Sequence, residues 1–308
     1  MQKILKTYYV WPRFPSVSMS GKDCMLSCRH CNRHYLKGMI PAVTDEELLR
    51  VCRRFYENNA VGVLLSGGCD RNGKMLNLEK NLSAIKKIKD ETGLIIKLHT
   101  GFVDEKLAEN LKGIIDVASM EMVGDNTTIQ EIFGLNATVD DYVETFRNLQ
   151  NAGVSIAPHV CVGIYNGMVK EEFKALELIK ENIKPETVVI IVFRPTKNTV
   201  LQDLQPPSPE DVASVVKKAK GLFDAEISLG CMRPRNRAVR AEIEIEALNS
   251  GVSRMELPSE KTISYAKEKG YEIKRLGACC ALPEKYEYLA EVNEFLSKKI
   301  HLLSTNML

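Results

Sequence analysis

Short β-branched and aliphatic runs alternate along the chain with longer stretches whose apolar residues recur every three or four positions. Brief apolar runs bounded by turn residues suit strands, and the three-four spacing suits helices with one buried stripe. Strands are predicted at 16–20, 61–67, 94–100, 115–123, 154–163, 187–193, 226–230 and 252–257. Helices are predicted between and after them, at 45–59, 79–92, 104–113, 140–153, 170–183, 209–223, 235–251 and 259–270, several closing on Gly or Asn.

Eight strands, each followed by a helix, predict an α/β protein built as a (β/α)8 barrel of TIM type, with a doubly wound open sheet as the alternative. The loops are too short for a domain boundary, so one domain is expected: a barrel over 1–270 and an extension over 271–308. The extension carries a strand-like segment from Tyr271, the pair Cys279 and Cys280, and a final helix, and is expected to close over the barrel mouth. Chemistry in such barrels sits where strands end and the following loops begin. Four segments fall there: CMLSCRHC after 16–20, SGGCD after 61–67, VGDN after 115–123 and LGCMRPR after 226–230.

Composition narrows the function classes. With 308 residues, 44% of them hydrophobic, the chain can bury a large core. Lys+Arg 42 against Asp+Glu 40 leaves a net charge of +2, so no global field recruits nucleic acid or an anionic membrane. The amino terminus has no apolar core of signal-peptide length, and the longest aliphatic run, 188–193, is far too short to span a bilayer. A cytoplasmic protein is expected, with neither nucleic acid nor membrane as partner. In a reducing compartment, nine cysteines argue for metal binding or catalysis over a disulfide framework.

Cys24, Cys28 and Cys31 give the spacing C-x3-C-x2-C on one loop. A structural zinc site takes four ligands, commonly as two separated pairs, and here the fourth is missing locally. Three thiolates on one turn suit a [4Fe-4S] cluster with one iron left open; a redox or zinc knuckle is the alternative. Cys52, in a helix with Leu48 and Phe55 on its face, reads as a small core residue. Cys161 shares parity with Ala157 and His159 and reads as pointing into the barrel.

C-x3-C-x2-C after the first barrel strand resembles the radical S-adenosylmethionine superfamily. The resemblance implies that the open iron chelates the amino and carboxyl groups of S-adenosylmethionine and that its reductive cleavage yields a 5'-deoxyadenosyl radical. It assigns His30 to the ring lying against adenine, and Ser66, Gly67 and Gly68 to the backbone that receives the methionine amino group. Ser119, Glu121 and Asp125 match the ribose contacts, and Gly163 the adenine-packing glycine. Arg194, with Arg233 and Lys97, is expected near the mouth, where it could bind a carboxylate. Taken singly, each glycine and each acid also has an ordinary structural reading.

Cys69, Cys231 and one or both of Cys279 and Cys280 are expected to share a second, auxiliary iron-sulfur cluster, because the first two end barrel strands and a folded-over tail can bring the others near; buried or incidental thiols are the alternative. The stretches FPSVSMSGKDCMLSCRHCNRHYLKGMIPA, SGGCD, LGCMRP and CC resemble the biotin-synthase-like branch, and most resemble a subunit of the two-protein, archaeal-type lipoyl synthase. Biotin synthases hold their second cluster on strands two, three and five, where the interiors here read Leu64 or Leu65, Lys97 and Ala157. The resemblance therefore implies sulfur insertion into an octanoylated lipoyl carrier protein or domain, with a second radical lipoyl synthase subunit and an electron donor such as ferredoxin. Two alternatives stay open: a related radical enzyme acting on a small molecule or cofactor precursor, and a non-catalytic partner in iron-sulfur cluster binding or assembly.

Overall fold

The computed structural model describes residues 2–292; the final helix expected near the carboxyl end lies outside the described residues. Eleven strands occur among them: β1 Lys3–Tyr8, β2 Ser16–Ser18, β3 Ile40–Pro41, β4 Gly62–Ser66, β5 Ile95–His99, β6 Val117–Ser119, β7 His159–Val162, β8 Thr187–Val192, β9 Glu226–Leu229, β10 Arg254–Glu256 and β11 Tyr271–Leu276. Every expected strand is present, as β2 and β4 to β10. The helices begin where capping chemistry places them. Thr44 and Glu47 form a capping box ahead of Asp45–Glu57, and Ser208 and Asp211 form one ahead of Pro209–Leu222.

All ladders are parallel and fall into two sheets, ordered β11-β1-β10-β9-β8-β7 and β3-β2-β4-β5-β6. Parallel bridges Ala118–Ile156 and Glu121–His159 join the sheets between β6 and β7. On the far side, however, β10 does not pair with β2 to close a ladder. Its partner is β1, which carries β11 on its other edge. The arrangement is an α/β fold of parallel sheets curved around one interior, with two extra strands where ladder closure was expected.

Strand parity separates two apolar layers, because successive side chains point to opposite faces. Ile96, Leu98, Ala118, Val160, Val188, Ile190, Ile227 and Met255 pack outward under the helices, and Cys52 lies in that layer as expected. Ile95, Val117, Ala157, Cys161, Val189 and Ile191 pack inward with Tyr8. Burying either layer follows from the near-continuous apolar character of strands covered on both faces.

The extension differs from expectation. Ala278, Cys279, Cys280, Ala281 and Leu282 join the inner layer instead of spanning the mouth. Beyond them, the Tyr286 hydroxyl donates to Asp116 at 2.6 Å, and Glu287 pairs with Lys6 and Arg254 at 2.9 Å each. Asp116 precedes β6, so the segment runs down the interior toward the amino ends of the strands. The extra strand β11 causes this: it hands the chain over beside β1, at the edge that no ladder closes. Among the described residues, no helix is long and apolar enough to cross a membrane.

Candidate functional site

The loop carrying Cys24, Cys28 and Cys31 leaves β2 and is clamped by the turn after β4. Met25 donates to the Cys69 carbonyl at 2.7 Å, and the Cys69 amide lies 3.3 Å from the Cys24 sulfur. On its other side the Arg29 amide donates to the Ile132 carbonyl at 2.8 Å, and the Cys28 thiol lies 3.4 Å from the Phe133 carbonyl. All three thiols are half-buried and unpaired in disulfides. Burial, then the charges of Cys31, Cys24 and Cys69, push the Cys28 thiol up. A metal core would stabilise such thiols as thiolates.

Glycine is required where the two loops meet. A Cβ on Gly68 would stand 2.1 Å from the Asp23 carbonyl oxygen and 2.4 Å from the Cys24 Cβ. The Gly68 amide donates to the Ser20 hydroxyl at 2.7 Å, which locks this approach. Gly163 has a φ of +79° and faces the Pro207 ring, while its amide donates to Glu172 at 2.6 Å.

Around the loop, several polar atoms are buried without a hydrogen-bond partner: His30 Nδ1, Ser119 Oγ and Thr100 Oγ1. Such orphans cost free energy unless a ligand satisfies them. His30 also meets Phe133 edge-on at 5.1 Å, and burial holds its imidazole down to about 4, hence neutral. Glu121 points inward and lies 3.0 Å from His99, whose ring stacks on His159 at 5.4 Å. Burial works against ionisation of Glu121, yet His99 and His159 hold its carboxyl well below the usual range. Asp125 is committed otherwise: it caps the turn at Thr128 and pairs with Lys170 at 3.3 Å.

The second group of thiols divides. Cys69 stands with the loop, where burial, then the charges of Cys24, Asp70, Glu121 and Cys31, raise it to about 12. Cys231, Cys279 and Cys280 instead gather around buried Lys97, whose Nζ lies 3.3 Å from the Cys279 sulfur. A hydrogen bond from Cys280 and the ammonium of Lys97 hold Cys279 well below the usual thiol range, against the opposing effect of burial. Solvent reaches Cys231, but the surrounding protein still raises it to about 12. Among the described residues, the three-residue set whose ligand atoms all lie within 4.8 Å is Glu256, Cys279 and Cys280. Burial, then the Cys279 charge, raises Glu256 to about 7.

The basic residues expected at the mouth behave differently from one another. Arg194 lies over the Tyr35 ring at 5.4 Å. Arg233 is 2% exposed, pairs with Glu244 at 3.5 Å and donates to the Glu256 carbonyl, so its charge serves the β9-β10 junction instead of a mouth ligand. Parity settles the strand interiors: Leu64, Lys97 and Ala157 face inward.

Sequence reasoning missed Glu256, His99 and the loop after β8. Glu256 and Arg254 alternate with Met255 in 252–257, so a polar inner face was visible in the period-two pattern. The β8 loop carries no such signal. It forms the far wall of a groove of about 420 Å³, with Asn198, Thr199, Val200 and Gln202 opposite Ser27, Cys28, Arg29 and Asn32.

A thiol loop above the open end of curved parallel sheets defines an iron-sulfur protein of barrel type. The model of the radical SAM superfamily matches residues 19–179, just over half the chain, and the chain belongs to that superfamily. Membership implies a [4Fe-4S] cluster and S-adenosylmethionine. The glycine cradle at Gly68, the three unpaired thiols and the orphaned polar atoms fit these groups.

Its curated relatives include biotin synthases. That of Citrifermentans bemidjiense is 28% identical over 193 residues, 59% of this chain and 56% of the relative. That of Syntrophotalea carbinolica is 24% identical over 210 residues, 65% and 62% of the two chains. The chain thus spans less than two thirds of their length. Among solved structures, methylornithine synthase (PylB) superposes with a TM-score of 0.58 at 16% identity, over 82% of this chain and 72% of that one. Streptococcus suis SuiB bound to S-adenosylmethionine gives 0.53 at 13% identity, over 83% and 58%. These likenesses show the fold.

Proposed function

We propose that the protein is a radical sulfur-insertion enzyme, a lipoyl synthase component that thiolates an octanoyl chain on a lipoyl carrier domain. Its nearest support is the gathering of Cys231, Cys279 and Cys280 around Lys97 in the interior, apart from the cluster loop. Two thiol groups at separate places suit a cluster that generates a radical and a second one that donates sulfur. The curated biotin synthase relatives are sulfur-inserting enzymes, which supports the reaction class.

Cys24, Cys28 and Cys31 would hold the first cluster, which with S-adenosylmethionine would supply one-electron radical chemistry. Neutral His30 presents an uncharged ring for adenine. Ser119 and Thr100 offer unpaired hydroxyls to ribose or carboxylate oxygens. Gly68 keeps the β4 turn close to the loop, and the groove beside Cys28 admits a flexible acyl arm from outside. The partners fitting this reading are an octanoylated carrier, a second radical lipoyl synthase subunit and a ferredoxin-type donor.

The test is anaerobic reconstitution with an octanoylated carrier peptide, S-adenosylmethionine, a reductant and the candidate partner subunit. Thiolated octanoyl product is expected, together with 5'-deoxyadenosine. Absence of thiolated product under every pairing would sink the reading.

A further inference from the structure

We propose that Glu256 is an oxygen ligand of the second iron-sulfur site, completing a donor set with Cys231, Cys279 and Cys280. The inference deepens the sulfur-insertion reading and rests on it. A four-iron cluster is held by about four protein ligands. Cys69 stands at the cluster loop, and Cys161, also inward, faces Glu121, so the thiols whose charges reach Lys97 number three. Glu256 supplies the missing donor.

Placement carries the assignment. Glu256 ends β10 and shares its inward face with Arg254, so its carboxylate enters the same interior as the tail. Its ligand atom lies within 4.8 Å of both the Cys279 and the Cys280 sulfur, and all three residues are buried. The same strand fixes the tail: Arg254 donates to the Leu282 carbonyl at 2.7 Å and to the Cys280 carbonyl at 3.3 Å. One short strand therefore positions the cysteines and presents the carboxylate.

Lys97 brings one positive charge to this donor set, its Nζ 3.3 Å from the Cys279 sulfur. A carboxylate is a harder ligand than thiolate and binds iron less firmly. The iron it holds would therefore differ from its neighbours in ligand field.

That difference is the test. Replacing Cys24, Cys28 and Cys31 together by Ala leaves the second site as the holder of iron, and anaerobic reconstitution with iron and sulfide should give about four irons per chain. On that background Glu256→Gln should change the Mössbauer parameters of one iron or lower the iron content, whereas Glu256→Asp should retain the content. Metal-free unfolding temperatures separate ligand loss from misfolding. Unchanged iron and an unchanged spectrum in Glu256→Gln overturn the Glu256 assignment alone, as does iron loss that only tracks loss of the metal-free fold. An iron-free triple variant overturns the second cluster, and the assignment with it.

Discussion

The Nζ of Lys97 lies 3.3 Å from the sulfur of Cys279, in the interior that the two sheets curve around. Lys97 occupies an inward position on β5, and the thiol beside it arrives from the tail. In the reduced, metal-free protein, Lys97→Met leaves the Cys279 thiolate without its ammonium. The Cys279 titration should then move up, because the charge that favours its thiolate is gone. The measurement is a pH titration of thiolate absorbance, with Cys279→Ser identifying the band. No displacement would mean that the Cys280 hydrogen bond holds the thiolate unaided.

Gly68 brings the β4 turn against the cluster loop, with space for no added carbon. Gly68→Ala forces the Asp23–Cys24 backbone away and should cost about 1–3 kcal/mol, the range of overpacking changes. Iron bound by the loop should fall with it. Gly38 has nothing within 4 Å of an added Cβ, so Gly38→Ala should stay within about 0.5 kcal/mol. Denaturant unfolding of the metal-free proteins, beside iron analysis after reconstitution, compares the two.

Glu287 locks the tail in the interior through Lys6 and Arg254 at 2.9 Å, Lys274 at 3.2 Å and the Tyr8 hydroxyl at 3.2 Å. Removing one partner of a buried ion-pair network leaves charge uncompensated, which costs about 3–5 kcal/mol. Glu287→Ala should therefore destabilise the protein by that amount and loosen the segment that carries Cys279 and Cys280. Both thiols should then react with an alkylating reagent at rates well above the parent's. Equal protection of the pair in parent and variant would remove the locking role.

The strands and helices were legible because their apolar positions follow one period each, and the cysteine loop because its spacing is local. The extra strand β1 was not. Its inward residues are Lys6 and Tyr8, and Lys6 is neutralised by Glu226 and Glu287, 220 and 281 residues away. A charge compensated at that distance reads locally as a solvated residue. The same reason hid the division of the second thiol group. Cys69 and Cys231 both follow barrel strands, and only the path of the tail decides that Cys279 and Cys280 enter the interior beside Lys97 while Cys69 stays with Cys24.

Glu171 gives the fold a pH dependence with a definite sign. Its carboxylate accepts from the Gly124 amide at 2.5 Å, which ties the helix Glu172–Asn182 to the loop before Asp125. Burial, then the adjacent Glu172, raises its carboxyl to about 8 in the folded protein. An unfolded glutamate ionises near the ordinary value of about 4.3. Between these two limits the folded state binds the extra proton, so stability falls as pH rises, with a slope from this group of at most about 1.4 kcal/mol per pH unit. Below the unfolded value both states are protonated and the penalty disappears. Glu171→Gln keeps an acceptor for Gly124 and never ionises. It should match the parent near pH 4 (about the unfolded value) and exceed it increasingly toward pH 8. Denaturant unfolding of the metal-free protein across that window decides it. A difference between parent and variant that stays constant with pH would show that Glu171 does not carry the proton.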